Sequence, residues 1–233
     1  MRLTSLLQVC LVATLLLQTG CAANSASNFK LSNLAKSDID SVTDMHIKEI
    51  HKLCRELTIK LYKRNPRELA KAPPGTTEKK RLAQIFSAQR IHGFSELGGA
   101  KGTAAITLSF SEKYEGDRVF ALMAGISSML FAAYNYQDEF FILDDIDQQK
   151  LYNSARNLET VAWQLNNRRN NSGERYILSN GVSESGIRNL SYERLFGKLI
   201  SLQDMMAMLI ADTTNRNITR VVQSAASMTF LPI

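Results

Sequence analysis

The sequence predicts an all-α protein, a single multi-helix bundle built around one central, fully apolar helix. Three observations carry that expectation. Val119 to Tyr134, VFALMAGISSMLFAAY, contains no charged residue, and its sixteen positions fall short of the roughly 20 that a membrane span needs, so it reads as a helix buried on every side. Leu151, Ala155, Leu158, Ala162 and Leu165 alternate spacings of four and three, and Leu195, Leu199, Leu202, Met206 and Leu209 do the same. Those spacings put one apolar stripe on each of two helices, which can pack at the shallow angle of a bundle. Ile39, Val42, Ile50, Leu53, Cys54, Leu57 and Leu61 give a third, broad apolar face.

Taken in order, the first helix spans Asp38 to Arg64, capped by Ser37 or Asp38 and stopped by Asn65-Pro66. Pro66 suits the first turn of a short helix to Lys71, and Pro73-Pro74-Gly75 then forces a loop. Tyr62 to Leu69, YKRNPREL, slightly resembles the junction between tetratricopeptide units, but no second copy follows at the spacing near 34 residues that such an array requires. Thr77 caps a basic helix to Arg90 with Leu82, Ile85 and Phe86 inward, and a helix over Thr103 to Tyr114 follows a glycine-rich loop. Asp144 is expected to cap the helix of the first stripe, and Asn189 or Ser191 to open that of the second. Tyr176-Ile177-Leu178 is expected to tuck a polar loop onto the bundle. A last helix is predicted from Asn215 to Ser227, and the apolar end Phe230 to Ile233 is expected to pack down.

Hydrophobic residues at 45% and charged ones at 21% are ordinary globular values, enough for a packed core. The net charge of +6 is unevenly spread. From Lys48 to Arg90 twelve Lys or Arg face four Glu, and Lys60, Lys63, Arg64, Arg67, Lys79, Lys80 and Arg81 form a candidate patch for an anionic surface or acidic partner, with a solvated helical face as the competing reading. Reversing Lys79, Lys80 and Arg81 to Glu is the test this patch invites. Nucleic acid is disfavoured, because no aromatic-studded basic groove is visible.

The N-terminal segment sets the expected address. Arg2 and the amino terminus are positive, Leu3 to Leu17 is apolar, and Thr19-Gly20 are small residues before Cys21, which is the layout of an export signal. The ending LQTGC resembles the lipobox of bacterial lipoproteins, with Gln18 where that pattern usually has Leu. The resemblance implies cleavage before Cys21, a diacylglycerol on its thiol, two or three acyl chains as a stable anchor, and, with Ala22 rather than Asp next, the periplasmic face of the outer membrane. In the competing reading a general signal peptidase cuts after Ala23 and releases a soluble protein. The expected organisation is thus a signal peptide over 1–20, a flexible tether over 21–37 and a helical domain over 38–233.

Catalytic and metal patterns do not assemble in the sequence. His46 and His51 lack the four-residue spacing of a helical zinc pair, and His51 with Cys54 supplies only two ligands. Cys54 lies among leucines, which points to packing. Asp138, Glu139, Asp144, Asp145 and Asp147 form an acidic cluster that capping explains, without an EF-hand's glycine or twelfth-position Glu. Gly99-Ala100-Lys101-Gly102 resembles the glycine motif of lytic transglycosylases, but Glu96 lies only three residues before it, and Thr103-Ala104-Ala105 stands where that family carries a Leu-Met-Gln type segment. Arg156, Glu159, Glu193, Arg194 and Asp204 suit an inter-helix polar network, and Met205, Met206 and Met208 suit an adaptable core. The expectation is a non-catalytic interaction or accessory subunit of the cell envelope, without a cofactor or metal. A carrier of an apolar ligand and a peptidoglycan enzyme using Glu96 are the alternatives.

Overall fold

A computed structural model describes residues 37–141, 143–220 and 229–233. The export signal, Cys21 and the tether up to residue 36 lie outside the described residues, as do residues 221–227 of the last predicted helix. The first helix, α1, is Asp38–Arg64 as expected. Ser37 Oγ accepts from the Asp40 N–H at 3.3 Å and the Asp40 carboxylate accepts from the Ser37 N–H at 2.7 Å, so cap and third residue satisfy one another. Asn65 is more than a stop signal. It is buried, its amide donates to Leu61 O and Leu178 O at 2.8 Å each, and its side-chain oxygen accepts from the Leu178 N–H at 2.7 Å. That clamp holds the 176–178 stretch against the bundle, where Tyr176 and Ile177 are buried.

Short elements follow: α2, Pro66–Leu69; α3, Glu78–Ile85, capped by Thr77; two 3-10 turns, Ala88–Ile91 and Ser95–Leu97; and α4, Gly102–Ser109. The long helices resume with α5, Arg118–Ala133, α6, Gln148–Asn167, and α7, Ser191–Thr214. Cross-contacts fix their directions. Tyr62 meets Asp117 and Asp44 meets the Phe140 N–H, so α5 runs antiparallel to α1. Arg156 pairs with Asp204 and Asn166 with Glu193, so α7 runs antiparallel to α6. The Tyr192 hydroxyl donates to Lys60 O at 2.9 Å, so α7 is also antiparallel to α1. The result is an up-down-up-down four-helix bundle, with α2 to α4 inserted between its first two long helices.

Helix α5 is the buried centre the sequence predicts, with every residue from Val119 to Phe131 buried. Its outer face is roofed by α3 and α4, and Gly125 is the point of closest approach: a Cβ there would sit 2.7 Å from Ile106 N and 2.8 Å from Gly102 O. No described helix is long and apolar enough to cross a membrane.

Four expectations are corrected. Asp147, not Asp144, caps α6, accepting from the Gln149 N–H at 2.8 Å, while Asp144 closes the preceding turn by accepting from the Phe141 N–H at 2.8 Å. The buried seam of α7 is Tyr192, Leu195, Phe196, Leu199, Gln203, Met206, Ala207 and Ile210, rotated so that Leu202 and Leu209 are only half-buried. Gln203 tolerates the seam because the Tyr134 hydroxyl donates to its side-chain oxygen at 3.3 Å. Met205 and Met208 point outward at 49% and 56% exposure, leaving only Met206 of that trio in the core. Finally, Asn215 ends α7 in the left-handed conformation (φ 53°) instead of starting a helix, and residues 215–220 are not helical.

Two further details complete the packing. A two-residue hairpin, β1 Gly181–Val182 against β2 Arg188–Asn189, interrupts the polar loop. The apolar terminus packs down as expected: the Asn157 side chain brackets the Leu231 backbone at 2.7 and 2.9 Å, and Asn153 donates to Pro232 O at 2.9 Å.

Candidate functional site

The charged residues of the basic region separate into a buried lock and an exposed fringe at one end of the bundle. The lock forms where α5 begins. Asp117 caps that helix by accepting from the Phe120 N–H at 2.9 Å, and the buried Glu68 of α2 accepts from the Arg118 N–H at 2.9 Å. Two carboxylates thus face the positive pole of an otherwise apolar helix, a placement the helix dipole favours. The Tyr62 hydroxyl donates to Asp117 at 3.0 Å, and Arg81 Nε donates to the same oxygen at 3.1 Å. Both terminal nitrogens of Arg81 donate to Glu96, at 2.9 and 2.8 Å, and its guanidinium lies 3.9 Å from the centre of the Phe120 ring.

Arg81 is fully buried, which removes it from the candidate patch. Burial works against its charge, but the hydrogen bonding it donates to Glu96 and the charge of Asp117 outweigh it and hold the guanidinium above its ordinary pKa. Burial pushes the Asp117 carboxyl up, opposed by the donors from Phe120, Arg81 and Tyr62. The Tyr62 hydroxyl is likewise pushed up, by burial and then by the Asp117 charge. Glu96 spends both oxygens on Arg81, so the carboxylate that an enzyme reading requires is engaged in a structural ion pair.

The fringe is set by that lock. Lys63 and Arg64 directly follow Tyr62, Arg67 and Lys71 flank Glu68, and Lys79 and Lys80 directly precede Arg81; all six are exposed. Since Tyr62, Glu68 and Arg81 converge on Asp117 and Arg118, the exposed cations on α1, α2 and α3 are brought to the same end of the bundle. Lys71 also pairs with Glu68 at 2.9 Å and Lys80 donates to Gly75 O at 2.8 Å. Lys60 is half-buried, with its ammonium 5.1 Å from the Tyr192 ring centre. The patch is therefore Lys60, Lys63, Arg64, Arg67, Lys79 and Lys80 without Arg81. Sequence reading missed the lock because its members are far apart in the chain; the available signal was Asp117-Arg118 standing immediately before the apolar run.

The remaining charged candidates disperse. Arg90 pairs with Asp138 at 2.8 Å over the Phe131 ring, and His51 Nε2 approaches Asp138 at 3.5 Å. Asp145 pairs with Arg216 at 3.2 Å, so the acidic cluster does not converge on one point. Arg156 bridges Asp204 at 2.7 Å and Glu159 at 3.0 Å, and Glu193 accepts from Asn166 and Asn180, so four of the five expected residues take part in inter-helix polar contacts, Glu159 through Arg156, while Arg194 is exposed. Cys54 is buried and its thiol is pushed up to about 12, so the thiolate that binds a metal is disfavoured. Among the described residues no three His, Cys, Asp or Glu gather as a metal site.

The two histidines of α1 are expected to make stability pH-dependent. Burial lowers the pKa of His46, and burial, with smaller contributions from Arg90 and Arg55 against Asp138, lowers that of His51. A base whose pKa is lower folded than unfolded takes up its proton first in the unfolded chain. Stability is therefore fully present above about pH 6.5 and falls as pH drops from there through the folded-state values. Urea unfolding at pH 7.5 and 5.0 is expected to show that loss, and His46→Gln with His51→Gln to flatten it; an unchanged slope in the double variant would assign the loss to carboxylates.

Comparison with protein-family models, curated proteins and solved structures found no match to this chain.

Proposed function

We propose that this protein is a lipid-anchored accessory subunit of the cell envelope. It is held through diacylglycerol on Cys21 at the periplasmic face of the outer membrane, and it uses its basic end to engage an acidic envelope protein. The observation that carries this reading is the separation within α1. The helix begins at Asp38, just after its Ser37 cap, and reaches the exposed cations at its other end, about 40 Å away for 27 residues at 1.5 Å each. The chain thus enters the described domain at one end of α1 and carries its exposed cations at the other, so a partner on the cations does not compete with the point of entry. The engaged carboxylates support a binding role over a catalytic one, since the buried Glu68 and Asp117 and the exposed Glu96 each hold a structural partner.

Crosslinking in living cells followed by affinity capture tests this reading. The expected result is one recurrent partner, reduced at least about tenfold by joint reversal of Lys63, Arg64, Lys79 and Lys80 to Glu and also by Cys21→Ser. Arg81 is left intact, because a buried Glu at that position would unfold the domain and mimic lost binding. A partner captured equally by the reversed protein would reduce the basic end to a solvated face.

A further inference from the structure

Helices α1 and α7 pack antiparallel and leave between their outer surfaces a groove of about 580 Å³. Its floor is apolar, with Leu53 of α1 against Gly197 and Leu202 of α7. Leu53 is buried and Leu202 half-buried, while a Cβ on Gly197 would meet nothing within 4 Å, so the groove is open to solvent along the α7 side.

Outside its buried seam, α7 presents a second stripe to this groove. Arg194, Lys198, Ser201, Met205 and Met208 follow one another at alternating spacings of four and three, the repeat that keeps side chains on one face, and all five are exposed. The stripe is divided, with two cations toward the start of the helix and two methionines toward its end. On α1, Met45 is 64% exposed and stands one turn before Glu49 of the groove wall, which extends the apolar half. Since the Tyr192 hydroxyl reaches Lys60 O, the cationic half lies at the end of the bundle that carries Lys63 and Arg64. Neither Arg194 nor Lys198 takes part in an ion pair among the described residues. The carboxylate of the wall does not neutralise them, because Glu49 is held by Lys52 of its own helix at 3.0 Å.

We propose that this groove receives an amphipathic helix with carboxylates over Arg194 and Lys198 and apolar side chains over Leu202 and the methionines, a docking that rests on the acidic partner proposed above and names the segment it uses. Charge decides the occupant. A second copy of α7 laid antiparallel would set cations over methionines, and laid parallel it would set cations against cations, so self-pairing suits neither half. An acidic amphipathic helix suits both, by complementary charge at one end and by apolar contact at the other. Methionine side chains, unbranched and polarisable, adapt to such a helix.

The experiment places a photo-crosslinking amino acid at Ser201, or separately at Lys79, of the full-length chain in living cells, and mass spectrometry identifies the joined segment. The expected result is one partner joined from both positions. The Ser201 adduct should fall on a helical segment with carboxylates beside an apolar face, and should drop at least about tenfold after Arg194→Glu with Lys198→Glu. These positions are exposed, so thermal unfolding should stay unchanged in each variant. An adduct from Lys79 alone overturns the groove and leaves the basic end as the site of contact. An adduct from Ser201 alone, on such a segment, supports the groove and removes the basic end. No adduct from Ser201, or one joined to a second copy, to lipid or to a segment without carboxylates, overturns the docking.

Discussion

Replacing Arg81 by alanine is expected to lower the unfolding free energy by roughly 3–5 kcal/mol, the range for removing one partner of a buried ion pair. The reason lies in what remains. Asp117 keeps its charge demand at a buried position, Glu96 loses both of its donors, and the Phe120 ring loses the guanidinium stacked on it. Urea unfolding followed by circular dichroism measures the loss. The neighbouring Lys79→Ala and Lys80→Ala changes, on the exposed side of the same helix, should stay within about 0.5 kcal/mol. A triple change, Arg81→Met with Glu96→Gln and Asp117→Asn, should recover most of the stability, because it removes the charges together and Asn still caps α5. A loss below about 1 kcal/mol for Arg81→Ala would mean that water reaches the guanidinium and that the lock is not dry.

The second large effect is expected at Gly125. Valine there places its Cβ within 2.8 Å of Ile106 N, Gly102 O and Ile106 Cγ1, and two of those three atoms are backbone that cannot rotate away. Helix α4 must shift, at a cost of about 3 kcal/mol, the upper end of what overpacking usually takes. The shift should also disturb the hydrogen bond from the Gly102 N–H to Ser128 Oγ. Gly197 of α7 is the control. A Cβ there meets nothing within 4 Å, and Gly197→Ala should raise stability by about 0.5–1 kcal/mol through helix propensity alone. If both variants change stability in the same direction, close approach is not what Gly125 provides.

Much of the fold is legible where the deciding interactions are local. The Ser37 cap and the Asn65-Pro66 stop give α1 its bounds to the residue, because both act within one helical turn. The uncharged run after Arg118 gives the buried helix, because no exposed position suits sixteen such residues. Two tandem signals mislead: Asp144 and Asp147 both suit a cap, and Leu202 and Gln203 both border the seam of α7. In each pair the tertiary fit decides. Asp144 is drawn into the turn at Phe141, and Tyr134 supplies Gln203 with a buried partner.

The candidate site divides along the same line. The sequence by itself determined an all-helical chain with a central apolar helix and a surplus of positive charge between Lys48 and Arg90, since composition and periodicity are properties of neighbouring residues. It could not say which of Lys79, Lys80 and Arg81 faces water. Three adjacent cations on a helix point about 100° apart, and only the fold brings Asp117 and Glu96, 36 and 15 residues onward, to neutralise the third. Burying a cation requires an anion already in place, and that placement exists only once α3, the 3-10 turns and α5 have packed together.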